Sequence, residues 1–276
     1  NLALKVQTAS DRINDAIIEY RPIVVFALFS GGHDSLSSTY VAREFSAPAV
    51  HINTGIGVPL TRKFVRDTCK ALKMELIELK ASENTNAKGQ PDPQNYRDFV
   101  LKYGFPGPHG HGMMYARLKE RALNRLARMY GASSRGKHKR RIMLVAGCRS
   151  QESTRRMGNV EPVQVRGRFI WINPIHDWTK IDTSDLIKYA GLKRNIIVDL
   201  IHKSGECLCG AFAKPNELAE LALWPQTRPA YNHIMKLQQE AQAAGVHAAW
   251  GKRPAKKQAV IESPGPLCWS CDKASF

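Results

Sequence analysis

Ile23-Val24-Val25-Phe26-Ala27-Leu28-Phe29-Ser30-Gly31-Gly32-His33-Asp34-Ser35 is the stretch that decides the fold. Its unbroken apolar first half predicts a strand buried on both faces of a parallel sheet. Gly31 and Gly32 stand where that strand must turn into a helix. Lacking a Cβ, they let the backbone approach a ligand and aim several N–H groups at one point, where the helix dipole favours an anion. Ser30 and Ser35 add hydroxyl donors beside His33. Asp34 suits a Mg²⁺ ion or a loop amide, because a carboxylate aimed at bare phosphate would repel it. No Lys follows Gly32 at the place a Walker A loop requires, so that nucleotide class is excluded.

Outward from this loop the chain alternates. Val6, Ala9, Ile13 and Ile17 recur at helical spacing before Pro22. After the loop, a helix is expected over Leu36 to Phe45, a strand over Ala47 to Ile52, a helix over Leu60 to Leu72 and a strand over Glu75 to Leu79. A further helix over Tyr115 to Tyr130 and a strand over Ile142 to Ala146 complete the series. This βαβ succession predicts an α/β fold with a doubly wound, mainly parallel sheet. The stretch from Ala81 to Met114, rich in Asn, Pro, Gly and His, is too long for an ordinary connection and suggests a substrate lid. From Asp182 onward the alternation stops, and short helical patterns follow at Asn216 to Leu223 and Tyr231 to Ala244. The expected organisation is a nucleotide-binding domain over residues 1–190 and a smaller, mainly helical region over 191–276.

The chain has 276 residues, 43% of them hydrophobic, enough for a full core. Lys and Arg number 41 against 24 Asp and Glu, a net charge of +17. That excess fits a polyanionic partner, and it fits equally a nucleotide enzyme that is merely basic. Within the biased tract Ser133 to Arg141, the run Arg135 to Arg141, together with Lys252, Arg253, Lys256 and Lys257, fits either phosphate contacts or solvated loops. No apolar run approaches the roughly 18 residues of a membrane span, and the N-terminus lacks the order of a secretory leader, so a cytoplasmic protein with no membrane partner is expected.

Ser-Gly-Gly-x-Asp-Ser after an apolar strand resembles the PP-loop signature of ATP pyrophosphatases and sulfonucleotide reductases. Other segments resemble the branch containing phosphoadenylyl-sulfate reductases. They are His51 to Ile56, Leu118-Lys119, the Gly-x-Arg-x-x-Glu-Ser-x-x-Arg pattern from Gly147 to Arg156, and Asn173-Pro174-Ile175-His176-Asp177-Trp178. The resemblance covers roughly residues 23–190. It implies that Ser30 to Ser35 hold the pyrophosphate end of ATP, that Asn53, Thr54 and Gly55 lie near the adenosine, and that adenylation is the first step. Gly147, Arg149 and Arg155 are the expected anion holders; Arg149 follows a buried strand at its carboxyl end, where ligands bind in open α/β sheets. Glu152 fits an anchor for an arginine ahead of a catalytic role, and for Asp177 and Trp178 a helix cap and a core aromatic stand ahead of substrate contact.

The cysteines complicate a reductase reading. Gly205-Glu206-Cys207-Leu208-Cys209-Gly210 only partly matches the Glu-Cys-Gly context in which that branch carries its catalytic cysteine. Cys207 and Cys209, with Cys268 and Cys271, form two close pairs that could supply the four thiolates of a [4Fe–4S] cluster or a zinc site. The spacing does not choose between the metals; the sulfur-handling relatives favour the cluster. Cys148, inside the arginine motif, fits either a persulfide carrier or a small apolar filler, and Cys69 fits a core position. His109 and His111 fit metal, phosphate or solvent.

In overall features the chain is most similar to PP-loop proteins of DNA phosphorothioation systems of the Dnd and Ssp types. That similarity implies adenylation of a backbone phosphate by ATP with Mg²⁺ and sulfur delivered by a cysteine desulfurase. Asp34, Arg149 and Cys148 are then the candidate catalytic residues and nucleic acid, DNA above tRNA, the partner. A sulfonucleotide reductase and a tRNA thiolation enzyme are the alternatives.

Overall fold

A computed structural model describes residues 1–86, 88–91, 95–135, 139–152 and 160–252. The chain opens with α1 (Leu2–Tyr20), whose first turn is capped by the Asn1 side chain accepting from the Ala3 N–H. It ends at Arg21, which takes a left-handed conformation at φ 45° just before Pro22. β1 (Val24–Leu28) then leads into α2 (His33–Ala42), β2 (Ala49–Asn53), α3 (Pro59–Ala71) and β3 (Leu76–Lys80). After α4 (Tyr96–Tyr103), α5 (His111–Tyr115) and α6 (Arg121–Met129) come β4 (Ile142–Val145), β5 (Val163–Arg166) and β6 (Phe169–Ile172). Four helices follow: α7 (Lys180–Tyr189), α8 (Ile196–Ile201), α9 (Glu217–Leu223) and α10 (Arg228–Ala243).

The six strands form one sheet in the order β3-β2-β1-β4-β6-β5. β1 pairs in parallel with β2 on one side and β4 on the other, and β4 pairs in parallel with β6. The chain thus winds outward from β1 in one direction and, after β4, in the other. This is the mainly parallel α/β fold expected from the sequence. The antiparallel edge was not anticipated: β5 and β6 form a hairpin whose two-residue turn, Gly167-Arg168, starts on a glycine at φ +57°. Its signals were present in the alternation Val163-x-Val165 and in that glycine.

By its contacts the chain divides into two compact units. The first comprises Asn1–His51, Phe64–Glu78 and Asn124–Asn195; the second comprises Ile52–Lys63, Leu79–Leu123 and the described residues from Ile196 onward. In the first unit Ala9, Ile13 and Ala16 of α1 pack with Ala27, Met143, Val145, Ile170, Ile172 and Trp178 in one core. Phe29, Leu36, Val65, Cys69 and Ile187 form another. Full burial of each large side chain stabilises the fold by about 1.5–3 kcal/mol. In the second unit Tyr96, Phe99, Val100, Met114 and Leu118 pack with Leu221, Ile234, Leu237 and Trp250.

The stretch 81–114, expected as a lid, is therefore corrected: much of it is core. Asn95 and Asp98 make a reciprocal capping box at the start of α4, which presents Tyr96, Phe99 and Val100 at helical spacing to the interior of its unit. The helix expected over Tyr115 to Tyr130 is interrupted by a π-turn at Ala116–Glu120. Among the described residues no helix is long and apolar enough to cross a membrane.

Candidate functional site

Within the first unit, the sheet reverses its direction of growth between β1 and β4, the place where open α/β sheets bind ligands at the carboxyl ends of their strands. Both loops carry residues singled out from the sequence. The helix after β1 starts earlier than expected, at His33 rather than Leu36, with Gly32 as its N-cap. His33, Asp34 and Ser35 therefore form the first turn of α2, whose N–H groups have no partner within the helix and sit at the positive end of its dipole.

Several contacts hold this turn. Gly31 takes φ +82°, a left-handed conformation costly for any residue with a Cβ. The buried Asn195 side chain donates from Nδ2 to the Gly31 carbonyl at 2.8 Å. A trans peptide plane places carbonyl and N–H on opposite sides, so tethering that carbonyl aims the Gly32 N–H the other way. The Ser30 and Ser35 hydroxyls lie 3.0 Å apart, and Ser35 also donates to the Gly32 carbonyl.

The loop after β4 closes on the same turn. Arg149 pairs with Asp34: Nη2 donates to Oδ2 at 3.0 Å, and Nε lies 2.8 Å from Oδ1 without the alignment of a hydrogen bond. The Arg149 side chain is only 3% exposed against 22% for Asp34. The guanidinium is thus committed to the carboxylate, making the pair a crosslink between the two loops, where the sequence had suggested an arginine open to phosphate. Gly147 permits the approach, since a Cβ there would lie 2.6 Å from the Asp34 carbonyl and the Ser35 nitrogen. Cys148, between them, is buried at 7% exposure. The Glu152 side chain, Arg155 and Arg156 lie outside the described residues.

Asn195 and its neighbours were missed in the sequence. Lys193 and Arg194 are exposed beside it, and Arg194 Nη2 lies 3.5 Å from His33 Nδ1. No local signal marks these residues, which are brought to the loop by the tertiary path of the chain after α7. Asp177 is corrected: the N-cap of α7 is Thr179, paired reciprocally with Asp182, while Asp177 binds Arg12 at 3.0 Å. Burial pushes the Asp177 carboxyl up, but the Arg12 hydrogen bond and charge outweigh it, leaving it below the ordinary carboxylate range. Trp178 is core, as expected.

In the second unit, Asn53 Oδ1 accepts from the Gly55 N–H in a tight turn with Gly55 at φ +82°. The Thr54 hydroxyl donates to the Glu206 carbonyl, and Lys119, on the π-turn, binds the Glu206 carboxylate at 3.0 Å with both side chains buried. The Glu206–Gly210 segment is pinned by Tyr96 donating to the Cys209 carbonyl and Trp250 to that of Leu208. Cys207 is half-buried and Cys209 buried. Their expected metal partners Cys268 and Cys271, like Arg253, Lys256 and Lys257, lie outside the described residues. Among the described residues no group of three or more His, Cys, Asp or Glu is arranged to hold a metal. Cys69 is a core residue whose burial pushes its thiol up to about 11, and His111 packs against Phe212 with the rings tilted by 58° and their centroids 4.6 Å apart.

The sequence model of the phosphoadenosine phosphosulfate reductase domain matches residues 24–204, well over half of the chain. The chain belongs to that family. No curated protein sequence matches it. Among solved structures, NMN synthetase from Francisella tularensis is similar over 94% of this chain and 99% of that one, at 16% identity and a TM-score of 0.52, which shows the shared fold. Phosphoadenylyl-sulfate reductase from Candida auris matches 70% of this chain and 84% of its own at 16% identity and a TM-score of 0.48. FMN adenylyltransferase from Candida glabrata, in complex with ATP, matches 72% of this reductase-family chain and 59% of its own at 12% identity and a TM-score of 0.49.

Proposed function

We propose that the chain is an ATP-using PP-loop enzyme that adenylates a nucleic-acid phosphate for sulfur insertion, as in DNA phosphorothioation of the Dnd and Ssp types. One observation carries the ATP part: the Gly31-Gly32 turn at the sheet's switch point, held by Asn195 and by the Asp34–Arg149 ion pair. Ser30, Gly31, Gly32, His33 and Ser35 surround the pyrophosphate end of ATP, with the first-turn N–H groups as donors. Each Asp34 oxygen keeps a further lone pair beside its Arg149 contact, so the carboxylate fits a Mg²⁺ bound to phosphate oxygens; that ion would neutralise the leaving pyrophosphate.

A non-bridging oxygen of the nucleic-acid phosphate attacks the α-phosphorus of ATP, and the bond to pyrophosphate breaks. A persulfide sulfur supplied by a cysteine desulfurase then attacks the activated phosphorus and expels AMP. Freeing that sulfur from its carrier consumes two electrons, drawn from a thiol. Cys148 lies beside the loop, and Cys207 is the more accessible thiol of the second unit. The basic charge of the chain supports the nucleic-acid substrate.

The test is ATP-dependent formation of AMP and pyrophosphate in the presence of DNA and a sulfur donor, with phosphorothioate detected in the digested DNA. Asp34→Ala should abolish both products. A second reading, sulfonucleotide reduction, is favoured by the family match and by Glu206-Cys207. Sulfite release from phosphoadenylyl sulfate with thioredoxin, without ATP cleavage, would replace the first reading with it. Modification of tRNA in place of DNA would assign the same activation chemistry to RNA.

A further inference from the structure

The first unit has a second charged feature, at the opposite end of the sheet from the phosphate loop. From Arg121 to Ser150 the chain contains no Asp or Glu, and none occurs from Pro162 to His176. The fold brings these acid-free segments together where β4 and β6 begin. Arg141 Nε donates to the Gly167 carbonyl at 3.1 Å, and the Ile142 N–H donates to the Arg168 carbonyl. Ser133 and Arg140 form an antiparallel bridge, and the Arg140 guanidinium lies against Gly131. Arg21 joins them, since the Ile23 N–H donates to the Arg141 carbonyl.

Arg21, Arg140 and Arg166 are exposed, and among the described residues no carboxylate pairs with them or with Arg141 or Arg168. Arg128, on the last turn of α6, is close enough to Arg168 and Arg125 that burial and then those two charges lower its pKa. Tyr130 and Met129 are exposed beside it, Tyr130 standing edge-on to Phe26. Arginines gathered without acidic partners raise one another's energy, and a string of phosphates relieves that repulsion with bidentate geometry. A lone phosphate would relieve only one or two of them.

We infer that this pole is a docking surface for the phosphodiester backbone of a nucleic acid, separate from the nucleotide loop. β4 and its flanks set the spacing: the six-residue rise from Arg141 to Gly147 is about 20 Å. A phosphate docked here is therefore not the one that reacts, and the surface holds the polymer without taking part in the chemistry. The inference rests on the nucleic-acid reading for its choice of polyanion, not on the adenylation step.

The experiment is anisotropy of a fluorescent DNA duplex, with a single-stranded RNA as second probe, titrated with the full chain over a range of salt. The variant Arg140→Gln/Arg166→Gln/Arg168→Gln should weaken binding roughly tenfold or more and reduce the slope of log K against log salt by about 2 to 3, since each phosphate contact contributes about 0.9 on B-DNA. A charge-matched control, Lys70→Gln/Lys180→Gln/Lys188→Gln, removes exposed lysines elsewhere in the same unit and should change neither. Equal weakening by both variants would mean that net charge alone binds, which overturns the docking surface, as would wild-type protein that binds neither probe. Binding of anionic vesicles with no affinity for either nucleic acid would also overturn it. Circular dichroism and ATP binding by calorimetry, both without nucleic acid, are read in parallel. Both should be unchanged in the arginine variant, so failure at the pole and failure at the loop are told apart.

Discussion

Removing either half of the Asp34–Arg149 ion pair should have unequal costs, because the two ions are unequally buried. Asp34→Ala strands a guanidinium whose side chain is 3% exposed, and breaking a buried pair in this way costs roughly 3–5 kcal/mol. Arg149→Ala instead leaves a carboxylate that is 22% exposed and can recruit water, so the expected cost is the smaller desolvation penalty of about 1–3 kcal/mol. The double variant should cost less than the sum, since neither ion is then left alone. Urea denaturation followed by the fluorescence of Trp171 and Trp178, both in the same unit, measures all three. If Arg149→Ala proves as costly as Asp34→Ala, or if the single effects simply add, the pair is not the crosslink described above.

Gly147→Ala should move the start of α2, because its Cβ would press on backbone at 2.6 Å with no flexible side chain to yield. A loss of about 1–3 kcal/mol in stability and on the order of 100-fold in ATP cleavage is expected, measured by thermal melts and pyrophosphate release. The Asp177 and Asp182 carboxyls both lie below their ordinary range: burial raises each, and hydrogen bonding and charge from Arg12 and Lys5 respectively outweigh it. A depressed folded pKa gives stability that is present above the unfolded value of about 3.9 and lost as pH falls through the folded one. Lys5→Gln/Arg12→Gln should therefore flatten the stability loss between about pH 5 and pH 3 in acid titrations of urea midpoints. Burial keeps the Cys69 thiol protonated at neutral pH, so iodoacetamide at pH 8 should label Cys207 well before Cys69 by peptide mass mapping.

Legibility varied with the range of the contacts involved. The apolar runs 23–29 and 142–146 yielded β1 and β4 because a strand covered on both faces must be apolar throughout. α4 was missed although Asn95 and Asp98 spell a capping box, since the Asn, Pro and Gly around them dominated the composition of the stretch. The β5–β6 hairpin was missed because each strand is only four residues long. Within the site, the glycine turn could be read from Gly31 and Gly32, and Arg149 from its place after β4. Its commitment to Asp34 could not, because that depends on two loops far apart in sequence meeting at 2.8 Å.

The sequence by itself determined the alternation of strands and helices from β1 to β3 and the strand β4, the glycine turn after β1 and the excess of positive charge. These follow from local periodicity, from the special backbone freedom of glycine and from composition. Only the tertiary structure decided which residues stand around that turn. It brought Asn195 to Gly31, Arg149 to Asp34 and Thr179 rather than Asp177 to the cap of α7. It also gathered Arg140, Arg141 and Arg168 at the far end of the sheet, away from the loop. Strand order sets these neighbours, and pairing between strands distant in sequence is governed by packing that no local pattern encodes.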